Sequence, residues 1–306
     1  MNRITRRNYG WGKGSRYAVK CALRSYYQNG HYSSTHTHLS RFTQLIDWVE
    51  AEYQIKDLRD VSIDHADAFF WEKERTSSKK YLKSLVSTWN VVMRALTGSD
   101  SRYIEPLAYS GRVSGIRTVE PNRDKDSVWK VIDKSLMGVE PRVGAIIAFA
   151  RFFGMRSQET ILADIDRIIG EARATGGATI LEGCKGGRES SDRIIPIGPD
   201  QKRLLKLVLE VRPSNSFNLL DANEDKRQAG AYLMKIANKM LDEVGLGNVR
   251  ELRAAFLCDA YESETGQPIP LIKKPIDKEL DMRGRRVVAR LGGHGRISVS
   301  NAYIGK

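Results

Sequence analysis

"ARLGGHGRISVSNAYIGK", residues 289–306, sets one histidine in a glycine-rich turn and one tyrosine, Tyr303, nine positions after His294. The other four histidines, His31, His36, His38 and His65, all lie in the first quarter of the chain. The spacing raises the question of why a tyrosine should stand so close to the end of the sequence at a set distance from its last histidine. Taken alone, the tyrosine reads more readily as a side chain tucked into a groove than as a reacting group. What decides between the two is whether the rest of the sequence supplies a site around it.

The bulk numbers narrow the partner. The 306 residues, 41% of them hydrophobic, suffice for two domains with real cores. No run of about 18 apolar residues occurs, so no membrane span is expected. The N-terminus is basic with no apolar stretch behind it, unlike a secretory signal. Cys21, Cys184 and Cys258 are too scattered for a metal site or a disulfide framework, and a reduced, cytoplasmic setting is expected. The formal net charge of +13 points to nucleic acid. The first acidic residue is Asp47; before it stand Arg3, Arg6, Arg7, Lys13, Arg16, Lys20, Arg24 and Arg41, with aromatic residues interleaved. Residues 1–15 are therefore expected to form a basic arm whose phosphate contacts weaken with salt, and a solvated tail is the alternative.

Helical spacing of apolar residues predicts four helices within residues 16–108: at 16–29, from Ser33, Ser34 or Thr35 as N-cap to 53, at 62–76 and at 77–98, where Gly98 is the expected C-cap. Four helices with short connections make a small all-α domain. "HTH" at 36–38 reads as a polar helix start in preference to a metal site. Residues 109–127 lack periodicity and read as a linker. From 128 to 306 the pattern is mostly helical, at 126–137, 141–154, 199–211, 226–244, 249–265 and 278–291. One interruption, "ATILEGCKGGRESSDRIIPIG", reads as a small antiparallel hairpin with Lys185 at its tip.

Several chemistries lack their motifs. No G-x-x-x-x-G-K-[ST] loop speaks for NTP hydrolysis, no G-x-S-x-G elbow for an α/β hydrolase, and no H-E-x-x-H for a zinc protease. What remains is an ordered set of cations. "GMRSQE" (154–159) places Arg156 after an apolar helix with Glu159 three residues on; "CKGGRESSDRIIPI" (184–197) carries Lys185 and Arg188; "RELR" (250–253) carries Arg250 and Arg253; "LGGHGRISVSNAY" (291–303) carries His294 and Tyr303. Each has a plain alternative, such as an i, i+3 surface ion pair for Arg156 and Glu159.

As an ordered set, these motifs resemble the tyrosine recombinase (phage-type integrase) family over about residues 125–306. "GMRSQE" is similar to its G-[LM]-R-x-x-[ED] box, "RELR" to its H-x-x-R box, and the tail to L-G-H-x-x-[IV]-x-x-[ST]-x-x-Y with one added glycine. The resemblance implies an α-helical core-binding domain followed by a mixed α/β, mostly helical catalytic domain with a small antiparallel sheet. It implies a site-specific DNA recombinase in which Tyr303 attacks a phosphodiester to leave a 3′-phosphotyrosine and a free 5′-hydroxyl. Strand exchange then runs through a Holliday junction in a homo-tetramer on double-stranded DNA sites, with DNA-bending accessory proteins as further partners and no cofactor, metal or ATP. Arg156 and Arg253 are expected to grip the phosphate, bidentate and permanently charged. Lys185 is expected to protonate the leaving oxygen, and His294 to bond the phosphate. Further DNA contacts are expected at Arg3, Arg6, Arg7, Lys13, Arg16, Lys20, Arg24 and Arg188.

Three features depart from the family pattern. Arg250 stands where the family carries histidine; it is expected to be an added phosphate clamp, leaving the proton of Tyr303 to water or His294. Residues 266–288 form an insertion, either a surface loop or a contact to DNA or a neighbouring protomer through Lys273, Lys274, Arg283, Arg285 and Arg286. Only three residues follow Tyr303, too few for a docking helix. Two rival readings share the chemistry or the fold: a catalytically weak or non-catalytic DNA-binding protein, and a type IB topoisomerase-like nicking-closing enzyme.

Overall fold

The computed structural model describes residues 6–111, 114–184 and 193–306. Two compact units divide at residues 114 and 115.

In the first unit α1 (Ser15–Tyr26), α2 (Tyr32–Tyr53), α3 (Ile63–Glu74) and α4 (Lys79–Thr97) are followed by a short α5 (Pro106–Ser110). Helix α4 forms the middle of the bundle. Its Leu82, Leu85, Val86, Trp89, Val92, Met93 and Leu96 are all buried, at the spacing a helix gives one face. The Ser78 hydroxyl caps its start by accepting from the Tyr81 N–H, and Gly98, at φ 73°, ends it in the left-handed region. Helix α2 differs from expectation. Gln28, Asn29 and His31 all have positive φ, and this reversal starts the helix at Tyr32, so Ser33, Ser34 and Thr35 lie inside it. Residues 7–13, expected as part of a basic arm, pack on this unit. Asn8 is buried and donates from Nδ2 to the carbonyls of Gly12 and Lys13 at 2.9 and 3.0 Å, while its Oδ1 accepts from the Leu58 N–H at 2.8 Å. Tyr9 joins the core.

The second unit is mostly helical. Its order is α6 (Lys125–Leu136), α7 (Arg142–Phe152), α8 (Ser157–Leu162), α9 (Ile165–Thr175), β1 (Gly177–Thr179), β2 (Ile194–Pro196), α10 (Pro199–Val211), α11 (Lys226–Asp242), α12 (Val249–Thr265), α13 (Lys278–Leu291), a 3-10 turn (Ile297–Ser300) and α14 (Asn301–Ile304). The two strands are antiparallel, with Ala178 opposite Ile195. This is the small sheet in a helical domain that the hairpin pattern predicts. Helix α7 is buried on every side, as an apolar helix at the centre of a domain must be. The one charge along its buried length, Arg151, ion-pairs with Asp259 at 2.7 Å and donates to the Arg123 carbonyl. The second half of the expected linker packs on this unit: Arg117 pairs with Glu251, and Arg123 with Glu262 at 2.6 Å.

The inserted segment is likewise structured. Residues 278–288 belong to α13, and Arg285 among them is buried. Its burial takes Arg285 out of the exposed set expected to meet DNA or a neighbouring protomer, whereas Lys273, Lys274, Arg283 and Arg286 are exposed. Among the described residues no helix is long and apolar enough to cross a membrane.

Candidate active site

Helix α7 delivers the first arginine. After Phe153 the chain turns at Gly154, φ +61°, and Arg156 becomes the residue before α8. Glu159 reaches back within the first turn of α8 and accepts from the Arg156 main-chain N–H at 2.6 Å and from Arg156 Nη1 at 2.6 Å. Glu159 has no exposed surface. Helix α12 delivers the second arginine. Asn248 caps it by accepting from the Arg250 and Glu251 N–H groups, and Arg253 sits one turn in, its side chain 3% exposed. Its Nη2 donates to the Gly292 carbonyl at 2.5 Å and its Nη1 to the Gly154 carbonyl. Arg156 Nη2 donates to the same Gly292 carbonyl at 2.7 Å and to that of Gly293 at 3.2 Å.

The turn after α13 therefore acts as a bracket for both arginines, which accounts for the added glycine. Gly293 has φ +57°, and a Cβ there would meet the Arg193 side chain at 3.0 Å. A side chain would be strained in that backbone region and would push on the arginine cluster.

Arg193 is the site residue that the sequence reading missed. It is 1% exposed and meets Glu159 with both Nη atoms, at 2.8 and 2.9 Å, while its Nε donates to the Leu291 carbonyl at 2.9 Å. The signal was strand parity. Arg193 and Ile195 are buried while Ile194 and Pro196 are exposed, so Arg193 belongs to the inward face of the β2 run. Among the described residues three guanidiniums thus surround one carboxylate, an excess of two positive charges in a largely buried pocket. Burial pushes the Glu159 carboxyl up, but the hydrogen bonds and charge of Arg193, with the Arg156 N–H and the charge of Arg253, outweigh it and hold the group at about 2. Burial, aided by the charges of Arg156 and Arg193, brings Arg253 down to about 10, still a cation at neutral pH. Its Nε is buried without a hydrogen-bond partner among the described residues. A buried, unpaired N–H in an electropositive pocket is a seat for an anion's oxygen.

His294 and Tyr303 complete the cluster. His294 Nε2 lies 3.1 Å from the Tyr303 hydroxyl and 3.4 Å from Arg253 Nη2, and the Tyr303 ring lies over the Arg253 guanidinium at 5.7 Å. In the tautomer that carries its proton on Nδ1, His294 turns its Nε2 lone pair to this corner and accepts from the Tyr303 O–H. Burial, and next the charge of Arg253, push His294 down to about 4, so the ring is neutral at ordinary pH and free to accept.

The structure thus brings together Arg156, Arg253, His294 and Tyr303. Arg250 is exposed one turn before Arg253, and among the described residues no side-chain hydrogen bond or ion pair joins it to those four. Lys185 and Arg188 lie outside the described residues, as does Arg3. In the first unit Arg16, Lys20 and Arg24 are exposed and recur every four residues along α1, opposite the buried Ala18, Val19, Ala22 and Leu23. Arg6, Arg7 and Lys13 are exposed just before it; Arg7 donates to the Lys56 carbonyl and Arg16 pairs with Asp47. Among the described residues no three His, Cys, Asp or Glu side chains gather as metal ligands.

No protein-family model matches the chain, and no curated protein does. Solved structures do. A lambda integrase tetramer bound to a Holliday junction is 13% identical with a TM-score of 0.59, over 93% of this chain and 75% of that one. XerH site-specific recombinase bound to its difH substrate is 17% identical with a TM-score of 0.59, over 97% of this chain and 83% of that one. The Tn1549 transposon integrase in complex with transposon right-end DNA is 14% identical with a TM-score of 0.52, over 93% and 94%. The fold expected from the motif resemblance, helical with one small antiparallel sheet, is the fold this chain shares with them.

Proposed function

Taking the fold of the integrases and site-specific recombinases as premise, we propose that the chain is a DNA strand transferase with Tyr303 as nucleophile. The observation that carries this is the Tyr303 hydroxyl, 3.1 Å from a neutral His294 Nε2, with its ring against the Arg253 guanidinium. In the reaction, the Tyr303 Oη forms a bond to phosphorus and the bond from phosphorus to the 5′-oxygen breaks. The phenol proton goes to His294 Nε2. Arg156 and Arg253 stabilise the charge that grows on the non-bridging oxygens, as preorganised donors in a dry site do best. The leaving oxygen takes a proton, for which Lys185 is the candidate. The phosphotyrosyl bond keeps the energy of the phosphodiester for the reverse step, in which a 5′-hydroxyl of another strand attacks.

Arg250 serves as an additional phosphate contact from the exposed start of α12, and the α1 stripe of Arg16, Lys20 and Arg24 as a backbone contact of the helical domain. Four protomers, the number in the lambda integrase tetramer bound to a Holliday junction, would complete a strand exchange between two sites.

The test uses a library of nicked duplexes of randomised sequence, in which cleavage near the nick releases a short strand and traps the adduct. A covalent protein–DNA band on a denaturing gel is expected, and Tyr303→Phe should lose it while retaining DNA affinity. No adduct across the whole library overturns the catalytic reading in favour of a binding protein. Relaxation of supercoiled plasmid without exchange between two sites would favour a nicking-closing enzyme.

A further inference from the structure

Arg285 lies outside the reacting cluster, yet it bonds the segment that carries the tyrosine at three points. Its side chain is 9% exposed. Nε donates to Asp281 Oδ2 at 2.7 Å on its own helix. Nη1 donates to Asn301 Oδ1 at 2.6 Å, with the Ser300 hydroxyl at 3.3 Å and the Gly305 carbonyl at 3.2 Å. These contacts fall on both sides of Tyr303. Asp281 is held in turn by the Tyr261 hydroxyl at 2.8 Å. Helix α13 can bring Arg285 this near because of Gly284, where a Cβ would meet Tyr261 and Thr265 at 2.6 Å.

Two main-chain bonds tie the same segment to the rest of the unit. The Leu271 N–H donates to the Ile304 carbonyl at 3.0 Å, and the Arg117 N–H to the Asn301 carbonyl at 2.8 Å. Ile304 is fully buried in the core. The inserted stretch thus supplies two fasteners for the tyrosine segment, Leu271 and Arg285.

We infer that Arg285 is a positioning residue, a clamp that holds residues 300–305 so that Tyr303 is presented to its own protomer's arginine pocket. The inference rests on the strand-transfer reading for its consequence, and on geometry alone for the clamp. Its planar fork spans Asp281 and Asn301 from two separate nitrogens, a fixed geometry that a lysine's single ammonium does not reproduce. Small misplacements of a nucleophile cost far more rate than binding.

The experiment compares the full chain with Arg285→Gln, Arg285→Lys and Asn301→Ala. Hydrogen exchange of residues 297–304 should rise about tenfold or more in Arg285→Gln and Asn301→Ala, with α12 and most of α13 unchanged. This reading stands whether or not the protein cuts DNA. With nicked duplexes, adduct formation by Arg285→Gln should slow about tenfold or more at unchanged DNA affinity, and Arg285→Lys should fall between it and wild type. Combining Arg285→Gln with Asn301→Ala should add little to either. Unchanged exchange in the terminal segment, a uniform rise through α12 and α13, or full-rate adduct formation by Arg285→Gln overturns the clamp. Loss of adduct in the wild type itself overturns the strand-transfer reading and leaves the exchange result to decide the clamp.

Discussion

Glu159→Gln tests the arginine cluster most directly. The carboxylate is fully buried and receives two N–H groups from Arg156 and two from Arg193, all within 2.9 Å. Glutamine keeps the shape, removes the charge and turns one acceptor into a pair of donors that face other donors. The folded group titrates at about 2 against an ordinary 4.5. A gap of that size corresponds to about 3 kcal/mol favouring the charged form. Removing one partner from a buried ionic network typically costs about 3–5 kcal/mol. The second unit should therefore lose about 3 kcal/mol, which for a unit of this size lowers its melting point by roughly 6–12 °C. The pH dependence carries the sign. A depressed folded pKa gives stability that is present above about 4.5 and lost as pH falls toward about 2. In urea denaturation of the full chain, the gap between wild type and variant should be full at pH 6 and close progressively below pH 4.5. A loss under about 1 kcal/mol, or a gap that stays constant on acidification, would refute the claim that Glu159 acts as an ionised hub.

His294, held at about 4 by burial and by the charge of Arg253, should stay a proton acceptor well below its ordinary range. The rate of adduct formation should therefore show no His294 step between pH 8 and 5 and fall only toward pH 4; a midpoint near 6.5 would contradict the assignment. Arg250→Ala should leave melting unchanged, since the side chain is exposed. It should make the dependence of log affinity on log salt shallower by about 0.9, the value of one phosphate contact; an unchanged slope would remove Arg250 from the interface.

Much of the fold was legible because the second unit's long helices carry regular apolar stripes, and the predicted spans at 199–211, 249–265 and 278–291 coincide with α10, α12 and α13. Helix α9 was not read. Its Ile165, Ile168, Ile169 and Ala172 have helical spacing, but Gly170 interrupts the propensity and a β-type run follows at once. The four cluster residues declared themselves through order along the chain. Arg193 and Arg285 did not, because their significance depends on burial. Arg193 sits beside a polar turn, and Arg285 within a basic stretch that reads as solvated until Asp281, one helical turn earlier, is seen to pair with it.

The bracket around the arginines has one more consequence. Gly154, Leu291, Gly292 and Gly293 engage Arg156, Arg193 and Arg253 through carbonyl oxygens, which every amino acid possesses. A pocket wired in this way constrains the path of the main chain, and at Gly154, Gly292 and Gly293 the path itself leaves no room for a Cβ, which would meet Phe256, His294 and Arg193. Selection on such a site acts on turns, so sequences can drift a long way apart while the guanidiniums stay aimed at one point.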